Sequence, residues 1–156
     1  MSDKNIKEII QDQYVKCATD PAYFLRQFCY IQHPLQGKIK FDLYDFQEKT
    51  LFDLRDNRYS VILKSRQLGI STLTAGYALH QMLFNDNFNV LVIATTQDVA
   101  KNLVSKVQIM NENLPSWLKV NITTNNKLSL KFKNGSEIKA ISSSSTGARS
   151  EALSLL

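Results

Sequence analysis

The chain is poor in the residues that brace small exported proteins. Its 156 residues hold two cysteines, three prolines, five glycines, one tryptophan and two histidines. Cys17 and Cys29 follow no ligand or disulfide spacing, which excludes a disulfide scaffold and a zinc ribbon. The N-terminal MSDKNIKEII is mixed in charge and has no apolar signal core. The thiols are therefore expected to be reduced and the chain cytoplasmic, in a host cell. No apolar run approaches the length of a membrane span, so no membrane partner is expected. His33 stands in a His-Pro turn and His80 in a helical pattern. Neither has a partner at ligand spacing, so both read as structural. There is no internal repeat and no linker, and an apolar share of 44% is enough for one core.

Charge is present but unevenly placed. The formal net charge is +5, and residues 119–149 hold six basic residues against Glu137 alone. A basic stretch of this kind suits contact with nucleic-acid phosphate or with an acidic protein surface, or is simply a solvated face of a hairpin.

The apolar pattern reads as alternating helices and strands. Residues 5–18 predict a short amphipathic helix, with Ile6, Ile9, Ile10 and Val15 to one side. Asp20-Pro21 starts a second helix expected to run through Tyr30, and residues 33–40 read as a loop. Asp45 is expected to cap the next helix, with Glu48 completing a capping box. Residues 59–63 predict a buried strand and residues 71–83 a helix. Residues 90–94 predict a second buried strand, nearly continuous in apolar residues, as in parallel sheets. Thr95 or Thr96 then caps a helix carrying Leu103, Val107, Met110 and Leu114 at helical spacing.

Farther on, Leu128, Leu130 and Phe132 alternate with polar residues up to the turn signal Asn134-Gly135. A two-residue turn would mix the two faces. A three-residue loop, Lys133-Asn134-Gly135, sets Leu130 opposite Ile138 and Lys131 opposite Glu137, and puts Gly135 at a left-handed position. The second register is expected, because a one-residue slip inverts a strand's faces.

The chemistry concentrates in VILKSRQLGISTLTAGYAL, residues 61–79. An apolar run leads into a tight polar loop, and Gly69-Ile70-Ser71-Thr72 opens a helical pattern. That is the layout of a phosphate-binding loop, where backbone N–H groups and a helix N-terminus attract an anion. The loop departs from G-x-x-x-x-G-K-[ST]. Lys64 stands where the first Gly belongs and Ile70 where the Lys belongs. Gly69 permits close backbone approach, Ser71 with Thr72 offers a hydroxyl for Mg²⁺, and Arg66 can reach a terminal phosphate. The flexible stem of Lys64 can fold its ammonium over the β/γ-phosphates, which makes it a displaced phosphate lysine.

With SRQLG followed by a hydroxyl residue, the chain resembles the large terminase subunit of tailed bacteriophages, the ATPase motor of DNA packaging. The resemblance covers roughly residues 20–156. Residues 20–54 are similar to the family's leading segment, which ends in a Q-motif that recognises adenine. The match is Gln47, preceded by Phe46. Residues 89–108 resemble the second core strand and its helix, and residues 128–156 the hairpin and the arginine-bearing loop, with Arg149, near the nucleotide.

The resemblance implies an α/β fold, an incomplete P-loop NTPase core of the additional-strand type. It would have a parallel sheet, flanking helices and a C-terminal β-hairpin. Residues 1–58 would form the helical N-terminal segment and residues 59–156 the front half of the ATPase core. It also implies ATP and Mg²⁺ as cofactors. Arg66 would be a cis arginine finger and, with Lys64, catalytic. Phe46, Gln47, Ser65, Gln67, Leu68, Gly69, Ile70, Ser71, Thr72 and Arg149 would bind nucleotide, with Ser71 on the metal. The implied partners are double-stranded viral DNA, the portal protein, the small terminase subunit, and the C-terminal remainder of the ATPase with its nuclease.

In the family the next residues would supply the Asp-Glu pair that holds the metal and activates water. That pair is not in this sequence, so the 156-residue chain by itself is expected to be hydrolytically incompetent. A helicase-like remodelling ATPase and a non-enzymatic half of a split protein are the alternatives. The displaced-lysine reading predicts that Lys64→Ala weakens nucleotide binding by about tenfold, the worth of one charge-assisted hydrogen bond. Unchanged affinity in a titration would remove Lys64 from the site.

Overall fold

A computed structural model of the chain describes residues 3–33, 35–143 and 153–155. Helix α1 (Asp3–Thr19) is followed by α2 (Pro21–Phe28). Asp20 caps α2 by accepting from the Ala22 and Tyr23 N–H groups at 2.9 and 3.1 Å, and Pro21 occupies the first turn, where its missing N–H costs nothing. The second helix ends sooner than expected. Tyr30 opens β1 (Tyr30–His33), which pairs antiparallel with β2 (Gly37–Lys40). The predicted loop is thus half of a hairpin. Within it, His33 Nδ1 accepts from the Leu35 and Gln36 N–H groups, each at 3.2 Å.

The capping expectation for α3 (Asp45–Asp56) is also corrected. Tyr44, not Asp45, is the N-cap residue, and the reciprocal bond comes from Gln47, whose Oε1 accepts from the Tyr44 N–H at 3.2 Å. Glu48 turns away and pairs in a fork with Arg26 of α2, at 2.9 and 2.8 Å. A carboxylate with a two-pronged guanidinium partner within reach is better satisfied there than on one backbone N–H.

Helix α4 (Ile70–Phe84) runs through the core. Ten of its fifteen residues are buried, as expected of a helix apolar on nearly all sides. At Gly76 an added Cβ would lie 2.6 Å from Leu25 Cδ2, so glycine lets α2 approach α4 closely. β3 (Asn89–Ala94) leads into α5 (Gln97–Glu112), capped by Thr96. Val107, Met110 and Leu114 are buried at the helical spacing read from the sequence.

A further strand not foreseen, β4 (Ile122–Asn126), precedes β5 (Ser129–Phe132) and β6 (Glu137–Ser142). The sheet order is β3-β6-β5-β4. Only β3 and β6 pair in parallel, while β6–β5 and β5–β4 are antiparallel. The sheet is therefore mixed rather than parallel. Its hairpin has the expected register, Leu130 opposite Ile138 and Lys131 opposite Glu137, with Gly135 left-handed at φ 85°. Buried Ser136 ties the turn to the end of α4 by donating to the Asn85 carbonyl at 2.7 Å.

The largest departure concerns residues 59–63. They form no strand, and Tyr59 is 82% exposed while Val61 and Leu63 are fully exposed. A strand needs a hydrogen-bonded neighbour, which its own sequence cannot provide. Among the described residues the β3 edge is instead taken by Leu155, bridged in parallel to Val90. A groove of about 450 Å³ borders both residues 58–61 and 153–155.

Both thiols are free and buried, and burial pushes that of Cys17 up to about 12. His80 is held neutral inside the core. Its Nε2 donates to the Cys17 carbonyl at 2.9 Å, and its Nδ1 faces the Gln81 amide at 3.3 Å. Burial lowers its pKa from 6.5, against a smaller opposing effect of the Cys17 carbonyl. The unfolded chain therefore binds the proton more readily. The stability that neutral His80 contributes is complete above pH 6.5 and falls as pH drops below it. His80→Gln should flatten the decline in Tm between about pH 7.5 and about pH 5.5. An identical slope in both proteins would show that His80 does not carry it.

Candidate functional site

The loop ahead of α4 is shaped by two left-handed residues, Gln67 at φ 63° and Gly69 at φ 70°. Between them Leu68 turns inward, half-buried against the core. Gly69 is the N-cap residue, and no side chain caps the helix. The first helical bonds run from the Thr72 and Leu73 N–H groups to the Gly69 carbonyl, at 3.0 and 2.9 Å. Among the described residues the Ile70 and Ser71 N–H groups are thus left for an external acceptor, and the helix dipole favours a negative one.

Gln47 holds this turn in place. The side chain is only 3% exposed. Its Nε2 donates to the Leu68 carbonyl at 3.0 Å while its Oε1 accepts from the Tyr44 N–H. An added Cβ on Gly69 would lie 2.6 Å from Gln47 Nε2, so conformation and proximity both favour glycine. The residue before Gln47 points the other way. Phe46 is 42% exposed and lies parallel to the Tyr44 ring, with centroids 5.6 Å apart and planes 9° apart.

The charged residues of the loop face solvent. Lys64, Ser65, Arg66 and Gln67 are all exposed, and the Lys64 ammonium folds back to donate to the Ser65 carbonyl at 3.2 Å. Ile70, at the position where a lysine would be sought, is 8% exposed and packs into the core. Ser71 is exposed. Thr72 is half-buried, and its Oγ1 accepts from the ammonium of Lys106 on α5 at 3.0 Å. Burial lowers the Lys106 pKa.

The structure therefore brings Gln47, Leu68 and Gly69 together, joins Thr72 to Lys106, and leaves Lys64, Arg66 and Ser71 open to solvent. Arg149 lies outside the described residues. Lys106 and Tyr44 were not foreseen. A signal for Lys106 exists in hindsight, because it interrupts the apolar stripe Leu103, Val107, Met110 at helical spacing. Among the described residues no group of three or more His, Cys, Asp or Glu is placed to hold a metal ion, and no helix is long and apolar enough to cross a membrane.

These features define an α/β protein in which a glycine-turned, basic loop opens onto an uncapped buried helix. The family model described as terminase large subunit, T4likevirus-type, N-terminal, matches residues 61–152. That span is more than half of the chain, and the chain belongs to this family of the phage DNA-packaging machinery.

The geometry at Gly69 sets a test of the loop's anchoring. Gly69→Ala should lower stability, since a left-handed alanine costs about 1–2 kcal/mol before the clash with Gln47 is counted. Denaturant unfolding measures the change, and a variant as stable as the parent would show that the turn relaxes freely.

Proposed function

We propose that the chain carries the nucleotide-binding loop of the packaging motor, taking ATP with Mg²⁺ for translocation of double-stranded viral DNA into the prohead. One observation carries the reading. The uncapped first turn of α4 follows a loop with two left-handed residues and two exposed cations, and this lies within the stretch that matches the family. Backbone N–H groups at that turn suit phosphate oxygens, and the core packing of α4 fixes where they sit.

In this reading Lys64 lies over the β/γ-phosphates, and Arg66 faces the γ-phosphate, where an arginine stabilises developing charge in phosphoryl transfer. The Ser71 hydroxyl is one protein ligand to Mg²⁺. A single hydroxyl suffices for an ion that keeps waters and phosphate oxygens as its other ligands. The exposed Phe46 ring is the group for adenine, and buried Gln47 acts on the nucleotide through the Leu68 carbonyl that it holds. Gln67, Leu68, Gly69 and Ile70 shape the loop backbone, with Ser65 and Thr72 at its two ends. Arg149 belongs to the same nucleotide neighbourhood in the family pattern. DNA, the portal, the small subunit and the C-terminal ATPase and nuclease regions are the proposed partners.

Calorimetric titration of the 156-residue chain with Mg·ATP should show weak, saturable binding. Arg66→Ala should reduce it by about tenfold, on the scale of one charge-assisted hydrogen bond. Absence of binding would sink the nucleotide reading.

A further inference from the structure

The loop lacks a lysine where such loops carry one, and the side chain there is buried in the core. A cation arrives from elsewhere. Lys106 projects from α5, and its Nζ stands 3.0 Å from the Thr72 hydroxyl, one residue beyond Ser71 and within the first turn of α4. Among the described residues the only partner of the ammonium is this neutral hydroxyl, and none of their carboxylates lies within 4.0 Å. The side chain is half-buried, and it borders a pocket of about 90 Å³ together with Thr72, Tyr30, Gln32 and Met110.

A half-buried ammonium without a counter-charge is costly, and a bound anion relieves that cost. The pocket could take several waters by volume, at about 10–15 Å³ of such space for each. It is therefore large enough to admit polar atoms beside the ammonium.

We propose that Lys106 is a phosphate-binding residue of this site, supplying from α5 the positive charge that Ile70 does not supply from α4. The ligand class is the polyphosphate tail of a nucleotide, so the proposal rests on the nucleotide reading. Thr72 acts as the positioning residue. Its hydroxyl holds the ammonium at the helix terminus until phosphate oxygens replace or join it. Lys64 and Arg66 then meet the tail from the solvent side, and Lys106 from the α5 side.

The test compares Lys106→Gln, which keeps a donor for Thr72 but loses the charge, with Lys106→Arg, which keeps the charge. Binding of ATP, adenosine and inorganic tripolyphosphate is measured at low and moderate salt, alongside thermal unfolding without ligand. Lys106→Gln should lose about tenfold in affinity for ATP and tripolyphosphate, on the scale of one charge-assisted hydrogen bond. The salt dependence of binding should also become shallower. Lys106→Arg should recover most of the affinity. Acetylation of the Lys106 amine, read by peptide mass spectrometry on the unmodified sequence, should be suppressed by ATP and tripolyphosphate but not by adenosine. That measurement decides the matter if Lys106→Gln does not fold. Unchanged affinity in Lys106→Gln, or acetylation indifferent to ATP, overturns the proposal. If Lys64→Ala and Arg66→Ala still weaken binding in that case, the nucleotide reading stands without Lys106. If the parent chain binds neither ATP nor tripolyphosphate, both readings fall.

Discussion

The burial of α4 on nearly every side is the constraint on which the rest depends. A helix with ten of fifteen residues inside the core cannot slide or rotate without exposing apolar surface. Its N-terminus is therefore a fixed point, and the loop before it inherits that fixity. Helices α2, α3 and α5 pack around α4, and each adds something to its surroundings. α2 comes close over Gly76, α3 contributes Gln47 to the turn, and α5 brings Lys106 to Thr72. The polar residues that matter are thus held by an apolar framework, which is how a small domain positions an exposed loop.

Gln47 shows how one side chain can serve two purposes. In the proposed reading it is the residue of a motif associated with adenine. In the structure its amide closes the cap of α3 and grips the Leu68 carbonyl, so the start of α3 and the turn before α4 are tied by one side chain. Replacing the glycine opposite it would disturb the turn and the grip together.

Charge follows a different logic from packing here. The loop's own cations stay in solvent, where they are well hydrated and adaptable. Lys106, which reaches Thr72 in the first turn of α4, comes from a neighbouring helix and is partly desolvated. In the proposed reading the first arrangement suits capture of an anion from water and the second suits holding it. Lys127, in the connection between β4 and β5, borders an open groove with Lys101, Asn125 and Asn126.

Much was legible in the sequence because it depends on near neighbours. The helix α4, the stripe of α5 with its cap among Thr95 and Thr96, the start of α2 at Asp20-Pro21, and the register of the hairpin at Gly135 follow from spacing, side-chain chemistry and turn geometry. The candidate loop was legible for the same reason, as a glycine and hydroxyls at the mouth of a helical pattern. What the sequence by itself determined was therefore the local code of helices, turn and loop, together with the family to which they belong. Only the tertiary structure decided the fate of residues 59–63, the pairing of Glu48 with Arg26, the choice of Gln47 over Glu48 at the cap, and the arrival of Lys106 at Thr72. Each of these turns on a partner distant in the chain. A strand without a neighbour, a carboxylate with a better-placed guanidinium, and an ammonium brought in by another helix are all settled by hydrogen bonding and packing across elements, which spacing along the chain does not encode.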